Sequence, residues 1–157
     1  MNPDYSLLCA QLRTLAEASR EPIPVLANAS ALLYEAMEGL NWAGFYLVHG
    51  DALLLGPFQG KVACVRIARG KGVCGTAWAE DAVQLVPNVH LFPGHIACDS
   101  ASNSEIVLPL HDVTGAVWGV LDIDSPSLNR FSPEDRAGLL LFAATLEEIL
   151  NGKDLST

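Results

Sequence analysis

The chain has 157 residues, half of them hydrophobic, and 18 acidic against 9 basic side chains give it a formal charge of -9. That length suits one domain, and a charged fraction of 17 %, against about 25 % in average globular proteins, leaves enough apolar chain for a packed core and argues against disorder. No run of Lys and Arg marks a nucleic-acid footprint, and no stretch reaches the ~20 apolar residues of a membrane helix, so neither nucleic acid nor membrane is an expected partner. Asp4 stands where a signal peptide would be basic, so the expected location is cytoplasmic; thiols stay reduced there, and four cysteines ask for a reason.

Tyr5, Leu8, Leu12, Leu15 and Ala16 recur at helical spacing, and Leu26, Ala29, Leu33 and Met37 do so after Pro22 and Pro24, which predicts two amino-terminal helices. From Trp42 the period becomes two: Trp42, Gly44, Tyr46 and Val48 alternate with Ala43, Phe45 and Leu47. This predicts a strand that turns at His49, Gly50 and Asp51 into a second strand ending at Leu55. Between residues 60 and 99 the signal is mixed, with a short helix over 72–79, a short strand over 83–86 and a loop holding Pro87, Pro93 and Gly94. Strands return at 105–110 and 116–124, and Ser132 caps a helix that opens on Pro133, Glu134 and Asp135 and runs to Leu150. Helices flanking strands linked by hairpins predict an α+β fold with a mostly antiparallel sheet.

Period two over 116–124 places Trp118, Val120, Asp122 and Asp124 on one face. A loop at 112–115 would pair His111 with Ala116 and set Glu105 opposite Asp122, gathering three acids. A slip of one residue would turn Glu105 to the other face. One reading is a wet strand end with solvated acids. The other is a cluster whose mutual repulsion raises a pKa, leaving one acid able to donate a proton while the others bind a cation. Trp118, Trp42 and Tyr46 fit a core, although alternate aromatics on one strand can also line a pocket.

Cys9, inside the first helix, reads as a packed side chain. Cys64, Cys74 and Cys98 fall among glycines in the least regular part of the chain, where thiols can meet. Zinc is disfavoured, because no two of them stand two to four residues apart, although His90 and His95 are nearby. Cys98 has His95 three residues before it, and Cys74 lies in the first turn of the predicted helix, so both are open to activation as nucleophiles.

The segments Gly60-Lys61-Val62-Ala63-Cys64, Gly70-Lys71-Gly72-Val73-Cys74-Gly75-Thr76-Ala77, Phe92-Pro93-Gly94-His95-Ile96-Ala97-Cys98-Asp99, Ser102-Asn103-Ser104-Glu105-Ile106-Val107 and Gly119-Val120-Leu121-Asp122-Ile123-Asp124-Ser125 closely resemble the free methionine-(R)-sulfoxide reductases, single GAF-domain enzymes. The likeness extends over nearly the whole chain. It implies one GAF domain over 1–157, with a six-stranded antiparallel sheet flanked by helices. By matching motif it implies Cys98 as nucleophile, Cys64 and Cys74 as recycling thiols, Glu105, Asp122 and Asp124 as the acids that hold and protonate the substrate, and Trp42 and Tyr46 as its aromatic wall. Cys9 matches no functional position. The pair Ala68-Arg69 departs from the more apolar or aromatic pair expected there, which would alter the lid over the site.

The implied reaction is thiol-dependent reduction of free L-methionine (R)-sulfoxide through a cysteine sulfenic acid and an intramolecular disulfide, reopened by a thioredoxin-like reductant. It requires no metal or organic cofactor, and it is compatible with a homodimer. A non-catalytic GAF sensor of a small ligand or of oxidation is the alternative, because one fold hosts many functions. A pure interaction module, supported only by the acidic surface, comes third.

Overall fold

The computed structural model describes residues 2–95, 98 and 100–156. Ile96, Ala97 and Asp99 of the motif around Cys98 therefore lie outside the described residues. The helices are α1 (Tyr5–Ala16), α2 (Pro22–Ala36), α3 (Gly72–Glu80) and α4 (Pro133–Ile149). The strands are β1 (Trp42–His49), β2 (Ala52–Gly60), β3 (Arg66–Ala68), β4 (Gln84–Val86), β5 (Ser104–His111) and β6 (Val117–Ser125). They form one six-stranded sheet in the order β3-β2-β1-β6-β5-β4, and every neighbouring pair is antiparallel. Among the described residues no helix is long and apolar enough to cross a membrane.

Period two in β1 divides the interior. Ala43 and Phe45 face one layer, where Leu8, Leu12, Leu26, Leu33, Leu139, Phe142 and Leu146 bring in α1, α2 and α4. Trp42 and Tyr46 face the other, with Val73, Cys74, Ala77 and Trp78 of α3. Three helices thus build the core on one side of the sheet, and α3 lies on the other, where Cys64, Cys74, Cys98 and the acids collect. The α1–α4 contact is close: a Cβ added at Gly138 would sit 2.0 Å from a Tyr5 ring carbon. The Tyr5 hydroxyl donates to Asp135 at 2.7 Å. Asp135 also completes the predicted cap of α4, accepting from the Ser132 amide while its own amide donates to the Ser132 hydroxyl.

Three local features differ from the sequence expectations. Pro22 and Pro24 belong to the first turn of α2 instead of preceding it, where a missing N–H costs nothing. β2 continues past Leu55 to Gly60, because the β1–β2 register shifts between Gly44 and Tyr46 and absorbs Gly56-Pro57 in a bulge. β3, a three-residue edge strand, was not expected at all.

Candidate active site

The sheet builds the acid cluster directly. Trp42 pairs with Asp124 across β1 and β6, and Asp124 pairs with Glu105 across β6 and β5, so an indole and two carboxylates stand side by side in one row. Asp122 is two residues further along β6, beside Gly44 on one strand and Val107 on the other. The expected gathering of Glu105, Asp122 and Asp124 holds, but the residue opposite Glu105 is Asp124, not Asp122. Two one-residue displacements produce this: the turn is one residue wider than expected, so His111 pairs with Val117 instead of Ala116, and a register shift between Leu110 and His111 makes Trp118 an extra residue. The bulge also turns Trp118 away from the acids and into the layer of α1, α2 and α4, while Val120 stays on the acid side.

Glu105 and Asp122 are 7 % and 5 % exposed, so the reading of solvated strand-end acids fails for these two. Burial pushes the Glu105 carboxyl well above the usual carboxylate range, and the charges of Asp122 and Asp124 add to the rise. Burial also lifts the Asp122 carboxyl above its usual range, with the polar groups of Glu105, Cys74 and Asp124 around it opposing the lift. Both carboxyls lie above their usual range, so the pair is placed to hold a proton at a pH where a free carboxyl has lost it. Among the described residues, the buried Oδ1 of Asp122 has no hydrogen-bond partner.

These acids line an open cleft together with Trp42, Tyr46, Cys74 and Cys98. All of the expected site residues except Cys64 line it. Trp42 and Tyr46 stack with centroids 5.8 Å apart, and Phe58 of β2 lies 5.1 Å beyond Trp42. Sequence reasoning did not single out Lys71, Ile67 or Ser102, which also line the cleft. Only contact across distant elements identifies them. His95 does line it, held below its usual pKa by burial and by His90, so its imidazole is neutral near pH 7.

Cys64 and Cys98, 34 positions apart in sequence, form a disulfide with α-carbons 5.4 Å apart. Cys98 lines the cleft, whereas Cys64, in the segment between β2 and β3, is not among the lining residues. The Trp42 indole N–H donates to the Lys61 carbonyl at 3.2 Å, and the Tyr46 hydroxyl donates to the Cys64 carbonyl at 2.9 Å. The aromatic wall thus also anchors the segment that carries Cys64. Cys74 and Cys9 are buried free thiols. Cys74 is brought to the acids by α3, whose Gly75 lies against β3: a Cβ there would meet the Ala68 carbonyl at 2.5 Å. Arg69 does not line the cleft; its guanidinium lies over the Trp78 ring, 5.2 Å from the centroid.

One ligand atom each from Cys74, Glu105 and Asp122 falls within 4.8 Å of the others, near enough to share a cation. Burial holds both the Cys74 thiol and the Glu105 carboxyl well above their usual pKa. The arrangement can take a small cationic group against Asp122, offer a proton from Glu105, and present a redox-active sulfur on Cys98.

Residues 12–150 match the GAF domain family model. The chain is 54 % identical over 150 residues to the free methionine-R-sulfoxide reductase of Escherichia coli, covering 96 % of this chain and 90 % of that one. The fRMsr of Staphylococcus aureus in its reduced form superposes with a TM-score of 0.90 at 47 % identity, over 94 % of this chain and 96 % of that one. The free methionine-R-sulfoxide reductase of Neisseria meningitidis in complex with its substrate superposes with a TM-score of 0.87 at 44 % identity, over 92 % of this chain and 87 % of that one.

Proposed function

The chain belongs to the free methionine-R-sulfoxide reductases of the GAF domain family, and we propose that it reduces free L-methionine (R)-sulfoxide to methionine at the cleft beneath Cys98. The observation that carries this reading is the disulfide between Cys64 and Cys98, of which Cys98 lines the same cleft as the acids. It is the oxidised product that the reaction would leave.

The substrate's ammonium group is drawn to the unpartnered oxygen of Asp122 and to Asp124, and its carboxylate to Lys71 at the positive end of α3. Trp42 and Tyr46 hold the S-methyl end. A charged amino group close to three acids favours a free amino acid over a peptide, whose nitrogen is a neutral amide.

The Cys98 thiolate attacks the sulfoxide sulfur while Glu105, with Asp124 beside it, protonates the departing oxygen. Neutral His95 is available to take the thiol proton. In the resulting S–S adduct the hydroxyl passes from the substrate sulfur to the Cys98 sulfur as the S–O and S–S bonds break, methionine leaves, and the Cys64 thiol displaces the oxygen of the Cys98 sulfenic acid as water to give the disulfide. A thioredoxin-like dithiol then reopens it, becoming the disulfide itself. Cys74, the other candidate for recycling, stays outside this exchange in the state described. We further read residues 1–157 as a single GAF domain that works in the cytoplasm without metal or organic cofactor, and a homodimer is compatible with this scheme.

The test is turnover with dithiothreitol on three substrates. The free R epimer should be reduced, while the S epimer and peptide-bound sulfoxide should be left largely untouched; equal rates on both epimers would overturn the reading. A pure sensor would bind the sulfoxide without forming methionine.

A further inference from the structure

Glu105 and Asp122 are buried acids without a fixed counter-ion: among the described residues neither enters an ion pair. Carboxylates taken out of water are paired or hold a metal, because an uncompensated charge is costly there. Cys74 joins them from the first turn of α3, while Glu105 stands on β5 and Asp122 on β6. One donor atom from each of the three lies within 4.8 Å of the other two. All three residues line the cleft, and none is more than 7 % exposed. Asp122 adds an independent sign, since its buried Oδ1 has no hydrogen-bond partner among the described residues. A buried acceptor left open in this way is completed by something that the chain does not supply.

We propose that Cys74, Glu105 and Asp122 form a binding site for a divalent cation of the zinc class, and that this ion competes with the substrate's ammonium group for the same acids. Donor chemistry selects the class. A thiolate beside two carboxylates suits Zn²⁺ and its relative Co²⁺, whereas Mg²⁺ and Ca²⁺ take oxygen donors. Zinc stands about 2.3 Å from sulfur and about 2.0–2.2 Å from carboxylate oxygen, so three donors already inside a 4.8 Å span close on it with small side-chain movements. Three protein ligands are the number found where a zinc ion keeps its fourth position open, and here the three line an open cleft. Binding releases the Cys74 proton to solvent. The dication brings the acids more charge than an ammonium group does, and it alone also engages the sulfur. It is an occupant that inhibits, not a cofactor of the reaction. Its binding stands apart from the reductase reading, and the competition rests on that reading.

The oxidised protein tests the site, because the Cys64–Cys98 bond withdraws two thiols and leaves Cys74 and Cys9 free. Cys9 packs with α1, α2 and α4 in the other layer. Co²⁺, the probe, should bind one ion per chain and give a thiolate-to-metal charge-transfer band. Zn²⁺ should displace it and raise the thermal midpoint, while Mg²⁺ should do neither. No such band in the wild-type protein would overturn the site. Cys74→Ala should abolish the band, and Glu105→Gln and Asp122→Asn should each weaken Zn²⁺ at least about tenfold, the lower end of what even an outer-shell metal partner is worth. A band that survives in Cys74→Ala and vanishes in Cys9→Ala would place the ion elsewhere and overturn the proposal. Competition is read in single turnover of the reduced protein on free methionine (R)-sulfoxide. Zn²⁺ at ten times its Kd should raise the sulfoxide concentration for half-maximal rate about tenfold, by mass action, and EDTA should reverse this. The rise should disappear in Cys74→Ala, compared with its own zinc-free rate. A loss of maximal rate alone would contradict competition. Metal-free wild-type protein that forms no methionine would overturn the reductase reading, and the competition with it, while the Co²⁺ band would still report the site.

Discussion

The Tyr46 hydroxyl donates to the Cys64 carbonyl oxygen at 2.9 Å, so the residue that walls the cleft also fixes the backbone of the cysteine that closes the disulfide. Trp42 does the same three residues earlier, through Lys61. Occupancy of the cleft and placement of the second sulfur are therefore coupled through two aromatic side chains on one face of β1.

Removing that hydroxyl separates the two functions. Tyr46→Phe keeps the ring and loses the hydrogen bond, at a stability cost of roughly 0.5–1.5 kcal/mol. Methionine release in single turnover should stay close to wild type, while disulfide closure should slow. Trapping of the sulfenic acid with a dimedone-type reagent reads this directly: more Cys98 adduct should accumulate in Tyr46→Phe than in wild type.

The cysteines should divide by position. Cys98→Ser removes the atom that attacks sulfur, so it should form no methionine even in one turnover. Cys64→Ser should still release one methionine per chain and then stop as a sulfenic acid. Cys9→Ala, buried in α1 away from the cleft, should change neither step. Product from Cys98→Ser would move the nucleophile elsewhere.

Glu105 makes a prediction in pH. Its carboxyl lies well above the usual range, so the native state binds a proton that the unfolded state has released. Stability therefore falls as pH rises from about 4.5, the unfolded value, towards the folded one. Glu105→Gln cannot ionise and should flatten that part of the stability curve. The same variant should lose about 10² or more in kcat/KM, the weight of general acid catalysis. Asp124→Asn should lose comparably. Asp122→Asn should raise KM as well, so the two constants must be separated. Near wild-type values in all three amides between pH 6 and 8 would contradict the assignment.

His111 offers an independent check of the fold. Its Nδ1 lies 2.7 Å from Glu147 on α4, and its Nε2 bonds to Asp81, just past α3. The end of β5 thus ties together helices from opposite faces of the sheet. Burial opposes its charge, but the hydrogen bonds and charges of Asp81 and Glu147 outweigh burial and raise its pKa above 6.5. A raised histidine contributes stability that is fully present below the unfolded value and is lost as pH climbs through the folded one. Wild type should therefore exceed His111→Gln in thermal midpoint at pH 6, and the gap should narrow above pH 7. A gap that widens with pH would contradict this.

Much of this was legible because it depends on local periodicity. Alternation in β1 separated Trp42 and Tyr46 from Phe45, and alternation near the end of β6 put Asp122 and Asp124 on one face. The Ser132 cap of α4 was legible from its capping and first-turn residues. What escaped were features that exist only across strands. The wider turn and the bulge at Trp118 together changed the partner of Glu105, the bulge turned the indole, and nothing in a one-strand pattern announces an extra residue. Gly56-Pro57 read as the end of β2 because a bulge opposite Phe45 was not visible in the sequence. The partner of Cys98 was open for a similar reason. Cys64 and Cys74 sit equally well among glycines, and only the fold shows that α3 buries one while the chain between β2 and β3 carries the other to Cys98.

The most direct measurement mixes reduced protein with one equivalent of free L-methionine (R)-sulfoxide and follows methionine and disulfide together by peptide mass spectrometry. One methionine per chain should appear, with a single new bond between Cys64 and Cys98 and with Cys74 still alkylatable after unfolding. Methionine without that bond, or a bond from Cys98 to Cys74 in its place, would contradict the account.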